Sequence, residues 1–295
     1  MKPTASQTRT RKAFTIIELL TVMSIIVILI GLMVPALNKV RRYATDVKQK
    51  AQFNSMNAAV ELFNNEFGGY PSSTALDVMG EPYCGAMKLC EALMGQDLLG
   101  FHSNSVLRRD GMDAQNALQL YPVVSPMPAS NLAARRGPFL PAESANAYRM
   151  EDIYGTNVTP FLPQTFVLCD VYERQMRSTV KTGMPILYYK ADTANNFHDP
   201  NLAPTPVDSK GNIYNYWDNQ ALIALGKPWL PPGGGESTEH QFKLVERFYK
   251  NTRSDKIVTT QRPYRADTYI LLSAGWDGDY GTADDICNYE WKYRE

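Results

Sequence analysis

Four carboxylates crowd the end of the chain. In "GWDGDYGTADDI", Asp277, Asp279, Asp284 and Asp285 fall within nine residues, interleaved with Gly278 and Gly281. Like charges this close repel, and two arrangements relieve them. One is a hard cation with oxygen ligands, calcium before magnesium in a flexible loop; the other is a solvated acidic turn. The residues alone leave both open. An EF-hand is excluded, because after the D-x-D opening position five is Gly281, position six is Thr282 and position twelve is Asn288. Four thiols, Cys84, Cys90, Cys169 and Cys287, are the other candidate ligands. A C-x5-C pair with two isolated cysteines lacks structural-zinc spacing, so disulfides in an oxidising compartment are the better expectation. Of the three possible pairings, Cys84–Cys90 with Cys169–Cys287 suits the sequence separations best.

Catalytic chemistry finds no constellation. His102, His198 and His240 are dispersed, with no H-E-x-x-H pair and no G-x-S-x-G elbow. They read as surface polar residues, and Cys169 within "TFVLCDVY" reads as a buried or bridged thiol, not a nucleophile. "PPGGGES" lacks the lysine of a phosphate loop. No enzyme is expected. Lysine plus arginine balance aspartate plus glutamate at 30 each, but residues 1–13 hold four of the bases and no acid. The remainder is mildly acidic, which argues against nucleic acid as a partner.

The elements that would position these residues begin with "RKAFTIIELLTVMSIIVILIGLMVPALNKVRR". Phe14 to Leu37 is 24 residues with a single charge, Glu18. As a helix that run spans about 36 Å, enough for the hydrocarbon core of a bilayer. It is too long for the apolar region of a secretory signal and has no small-x-small cleavage site after it. An acid in hydrocarbon costs about 2.5–3.5 kcal/mol or more unless paired. Cleavage before Phe14 would supply the pair, a new amino group one helical turn from Glu18.

Helix spacing continues beyond the apolar run. Leu37, Val40, Ala44, Val47, Ala51, Ala58, Leu62 and Phe63 define one face, opposite Lys39, Arg42, Lys48 and Lys50. Gly68, Gly69 and Pro71 stop the pattern, so one helix over Phe14–Phe67, loosened at Pro35, is expected. Residues 68–160 read as a loop-rich insertion with short helices, one of them in "GEPYCGAMKLCEALMG", decorating the surface or holding a partner site. Strand signals concentrate in 161–295, at 165–172, 185–192, 211–218 and "TYILLS", with helix candidates at 220–226 and 240–252.

"KAFTIIELLTVMSIIVILIGLMVPAL" resembles the N-terminal segment of type IV pilins and of the pseudopilins of type II secretion. In that family a prepilin peptidase removes a basic leader just before a phenylalanine, which is then N-methylated. The resemblance makes residues 1–13 the leader, Ala13–Phe14 the cleavage and methylation point, 14–37 the transmembrane and filament-core helix, and 38–67 its amphipathic continuation. Glu18 stands at the family's fifth mature position and Pro35 falls where the family has proline, both as assembly residues. The family usually has glycine where this chain has Ala13. "LLSAGWDGDYGTADDI" is similar to the C-terminal loop of the G-type major pseudopilins, which implies a structural calcium. Its implied ligands are Asp277 and Asp285, with carbonyls at Leu272 and Ser273 and, less directly, Asp279 and Asp284.

The resemblance implies an α+β fold, a long N-terminal helix packed on a small antiparallel β-sheet head with a C-terminal calcium-type loop. It implies a bacterial inner-membrane protein with its head outside the cytoplasm, later part of a periplasmic pseudopilus or extracellular pilus. Implied partners are other copies in a helical filament, the prepilin peptidase, an assembly platform with a separate ATPase, and minor pseudopilins. A rarer tip-located or membrane-tethered binding module is the alternative, and an aromatic-lined cleft in 68–160 would favour it.

Overall fold

The computed structural model describes residues 15–123, 126–230, 237–257 and 259–290. The chain forms two compact units, Met1–Ala44 and Thr45–Glu295.

Helix α1 runs over Ile16–Phe67 without interruption at Pro35. It starts on a reciprocal cap. The Thr15 N–H donates to Glu18 Oε2 at 2.9 Å, and the Glu18 N–H donates back to Thr15 Oγ1 at 3.3 Å. This is a capping box, with the threonine as N-cap and the glutamate three residues on. In the first unit the apolar side chains are uncovered, Ile16 at 81%, Leu32 at 72% and Val27 at 67% exposure.

The second unit packs around a small sheet. Strands β1 (Phe101–His102) and β2 (Arg135–Arg136) pair, as do β3 (Ala147–Arg149) with β4 (Phe166–Leu168) and β5 (Arg174–Gln175) with β6 (Lys181–Thr182), all antiparallel. Strands β7 (Leu187–Lys190), β8 (Tyr269–Ser273) and β9 (Ile286–Cys287) form a three-stranded antiparallel sheet in that order. An antiparallel bridge between Cys169 and Pro185, with the Ile186 N–H donating to Leu168 O at 2.7 Å, carries the layer from β4 to β7. Every residue of β8 is buried, because the sheet is covered on both faces. Leu187, Tyr189, Ile270 and Leu272 join a cluster with Tyr214, Phe248 and Tyr280. Ile186, Tyr188, Tyr269 and Leu271 join another with Phe53, Met56 and Val60 of α1. A strand buried on both faces reads as a continuous apolar run, which is how "YILLS" reads.

The short helices are α2 (Gly85–Met94), α3 (Ala129–Ala133), α4 (Ala142–Ala145), α5 (Met150–Tyr154), α6 (Gln220–Ile223) and α7 (Val245–Thr252). All ten residues of α2 are buried, so this part of 68–160 is core and not decoration. The segment 211–218 is not a strand. The Asn215 side chain accepts the Trp217 N–H and caps a 3-10 turn over Tyr216–Asn219, which claims those tyrosines for the core.

The buried face of α1 is also not the expected one. Gln49, Gln52, Phe53, Met56, Ala59, Val60 and Phe63 are buried, whereas Val47, Ala51, Ala58 and Leu62 are exposed; only Phe63 belongs to both sets. The two amides are the reason. Gln49 Oε1 accepts the Val171 N–H at 3.0 Å, and Gln52 Nε2 donates to Cys169 O at 2.9 Å.

The expected disulfides are absent, and all four thiols are free and buried. Cys84 caps α2 and Cys90 lies six residues further along the helix, a rise of about 9 Å, beyond the Cα separation a disulfide tolerates. Cys169 is bridged to the β7 side of the layer while Cys287 lies on β9, about three strand spacings or 14 Å away.

Candidate functional site

The acidic segment links β8 to β9 and is folded largely by its own carboxylates. Gly275, at φ +64°, lets the chain pass Asp284 O, where a Cβ would stand 2.1 Å away. Asp284 Oδ2 accepts the Asp277 N–H at 2.9 Å, and its Oδ1 accepts the Thr282 hydroxyl at 2.8 Å. Asp277 Oδ1 takes the Asp279 N–H and Asp285 Oδ2 takes the Gly281 N–H, at 2.8 and 2.7 Å. Asp285 is buried, and its Oδ1 has no hydrogen-bond partner. Burial, with the negative charges of Asp277 and Asp284, pushes its carboxyl well above the usual range. Burial together with Asp284 pushes Asp277 up to about 6. These three carboxylates share one field.

The Asp279 carboxylate and the Ser273 side chain are engaged elsewhere. Asp279 meets Lys227 Nζ at 2.8 Å, His240 Nδ1 at 3.1 Å and the Gln241 N–H at 3.1 Å. Burial works to raise its pKa, but the His240 and Lys227 contacts hold it below the ordinary value. The Ser273 hydroxyl donates to buried Asp170 at 2.8 Å. Leu272 sits in the ladder between Leu187 and Cys287. Among the described residues, no group of three or more histidine, cysteine, aspartate or glutamate side chains is arranged to hold a metal ion.

Two cations that the sequence reading passed over brace the loop. Arg174 of β5 donates to Asp277 O at 2.7 Å and lies 4.3 Å over the Trp229 ring, and Lys227 holds Asp279. They come from positions about 100 and 50 residues upstream, so no local pattern announces them. The histidines are interior, not surface, residues: His102, His198 and His240 are all buried. They do not converge. His198 Nε2 meets Thr252 Oγ1 at 2.7 Å, and burial lowers its pKa to about 3.

At the other end, Glu18 has the local partner described above, which the sequence reading overlooked although "TIIE" carries the capping-box spacing. Ala13 and Phe14 lie outside the described residues. Within 68–160 and the β3–β4 edge there is a cavity of about 530 Å³ whose lining includes Tyr83, Tyr121 and Phe166.

No protein-family model, curated protein or solved structure matches the chain. By length and composition, α1 can cross a membrane. The chain joins that helix to several small antiparallel sheets.

Proposed function

We propose that the chain is a structural subunit of a type II secretion pseudopilus or type IV pilus. One observation carries this reading: a single helix begins in an apolar stretch whose side chains find no cover among the described residues and ends built into a sheet-containing unit. Such a helix suits two successive surroundings, lipid and then the packed helices of neighbouring subunits. Removal of residues 1–13 would place a new amine at Phe14, beside the Thr15–Glu18 cap. Glu18 then has two donors to answer it, the cap inside the helix and the amine of its own or a neighbouring subunit. The mechanism is assembly, driven by a separate ATPase, with no chemical step in this chain.

A structural calcium belongs to this reading. Asp277, Asp284 and Asp285 are not arranged as a ready-made three-carboxylate site; what supports an ion beside them is their mutual repulsion and the one buried Asp285 oxygen without a hydrogen-bond partner. Asp277 and Asp285 would hold the ion, with Asp284 beside them and the Leu272 and Ser273 carbonyls completing the implied set. A bound cation would supply the positive charge that lets all three stay ionised. Asp279, committed to Lys227 and His240, falls outside this set.

Intact-mass analysis of the chain purified from membranes tests the leading reading. Loss of residues 1–13 with one added methyl on Phe14 supports it, and retention of the leader makes the helix a fixed anchor. Glu18→Ala should insert normally and fail to assemble; normal filaments from that variant end the pairing argument. For the calcium, chelation should lower the Tm of the wild-type chain and leave Asp285→Asn unmoved. The cavity lined by aromatic rings favours a second reading, a tip-located or tethered binding subunit, which low abundance relative to the filament would support.

A further inference from the structure

The uncovered apolar run of α1 ends at Leu37, and the next turn changes character at once. Lys39, Arg41 and Arg42 follow, and no acid lies between Glu18 and Asp46. Every residue from Asn38 to Ala44 is exposed, Tyr43 at 71%. At about 100° per residue, Asn38, Lys39, Arg41, Arg42 and Tyr43 together cover about 200° of the helix circumference. This is more than half of the rod, wider than a stripe laid against one neighbouring helix.

Their depth says what surrounds them. As a helix, residues 16–37 rise about 33 Å, close to the roughly 30 Å of hydrocarbon in a bilayer. With that run in the hydrocarbon, Lys39 stands about 3 Å beyond its edge, and Arg41 and Arg42 about 6–8 Å beyond it. The headgroup layer on each side is itself about 5–8 Å thick. Helical side chains lean toward the N-terminus, which brings these cationic tips and the Tyr43 ring back toward that edge. A tyrosine at this level is the usual interfacial anchor. Guanidinium groups take phosphate oxygens bidentately, and an ammonium takes them as a point charge. A zwitterionic headgroup brings a cation of its own, which three added bases repel, whereas an anionic headgroup brings none.

We propose that the turn after Leu37 binds anionic phospholipid headgroups in preference to zwitterionic ones. The proposal goes beyond the filament reading and shares with it one premise, that α1 lies in a bilayer.

The test uses the full-length chain in phosphatidylcholine vesicles with trace spin-labelled phosphatidylglycerol or phosphatidylcholine, the protein-associated fraction being read by electron spin resonance. Phosphatidylglycerol should associate about fivefold more strongly, and the preference should shrink in high salt. The triple variant Lys39→Gln, Arg41→Gln, Arg42→Gln should be at least twofold less selective. The double variant Lys48→Gln, Lys50→Gln should match the wild type, because those bases stand about 16–20 Å beyond Leu37, outside the headgroup layer. The leader bases remain in every variant, so a preference that they cause survives the triple substitution. Equal association of the two lipids, a drop smaller than twofold in the triple variant, or an equal drop in the double variant overturns the proposal. Release of the wild-type chain by alkaline carbonate ends the membrane reading and this proposal together; a retained chain without lipid preference ends this proposal alone.

Discussion

Between Ile16 and Leu37, α1 leaves isoleucines, leucines and valines bare; between Gln49 and Phe63 the same helix buries two glutamines and exposes a leucine. Hydropathy alone would assign the reverse. By length and composition the first half can cross a membrane, and it finds no cover among the described residues. The second half meets a layer whose edge has carbonyl and N–H groups to satisfy, and an amide that satisfies them is better buried than a methyl group. Burial in this helix follows the needs of what faces it.

The largest test of that contrast is a pair of truncations. Phe53→Ala should cost the folded unit about 3–5 kcal/mol, measured by chemical unfolding in detergent. Ile26→Ala, on the bare half, should leave the same transition unmoved, and a comparable loss there would erase the distinction. Next comes the pH dependence of the second unit. Burial raises Asp218 to about 7, against the Ser73 hydrogen bond and the Lys88 charge. The folded state therefore holds this proton more tightly than the unfolded chain. The stabilisation is full below the ordinary aspartate pKa and is lost as pH rises toward 7, about 4 kcal/mol in all. Asp218→Asn should flatten that part of the stability profile between pH 4 and 7. Gln52→Ala should cost about 1–3 kcal/mol by leaving Cys169 O buried without its donor. The smallest effect is expected from reductant: with four free buried thiols the Tm should not move, and a drop would restore the disulfides.

Legibility followed the chemistry of each segment. β4, β7 and β8 were plain in sequence because apolar aromatic and aliphatic runs have few other uses. α2 read as part of a loop-rich insertion decorating the surface because short elements among prolines give no periodicity that announces burial; its two charges are in fact buried, Lys88 on the Thr74 and Leu76 carbonyls and Glu91 on tyrosine and glutamine donors. The face of α1 was misplaced for the same reason, since amides at 49 and 52 look like surface residues until their partners on Cys169 and Val171 are known. The acidic loop was visible as a cluster of four, but that Asp284 joins Asp277 and Asp285 follows from the fold and not from sequence spacing, since Asp279 lies closer to Asp277. The diversion of Asp279 to Lys227 was not visible, because it depends on a contact some fifty residues away.

The glutamine attachments also have a mechanical meaning. Gln49 and Gln52 grip the chain leaving β4, Asp46 accepts the Tyr172 hydroxyl at 2.6 Å, and Asn57 accepts from Tyr269 and Asn288 at 3.0 and 3.1 Å. Tension applied along α1 would therefore be shared among several crosslinks spread over three turns. A helix held only by greasy contacts can slide lengthwise under load, whereas this one is riveted.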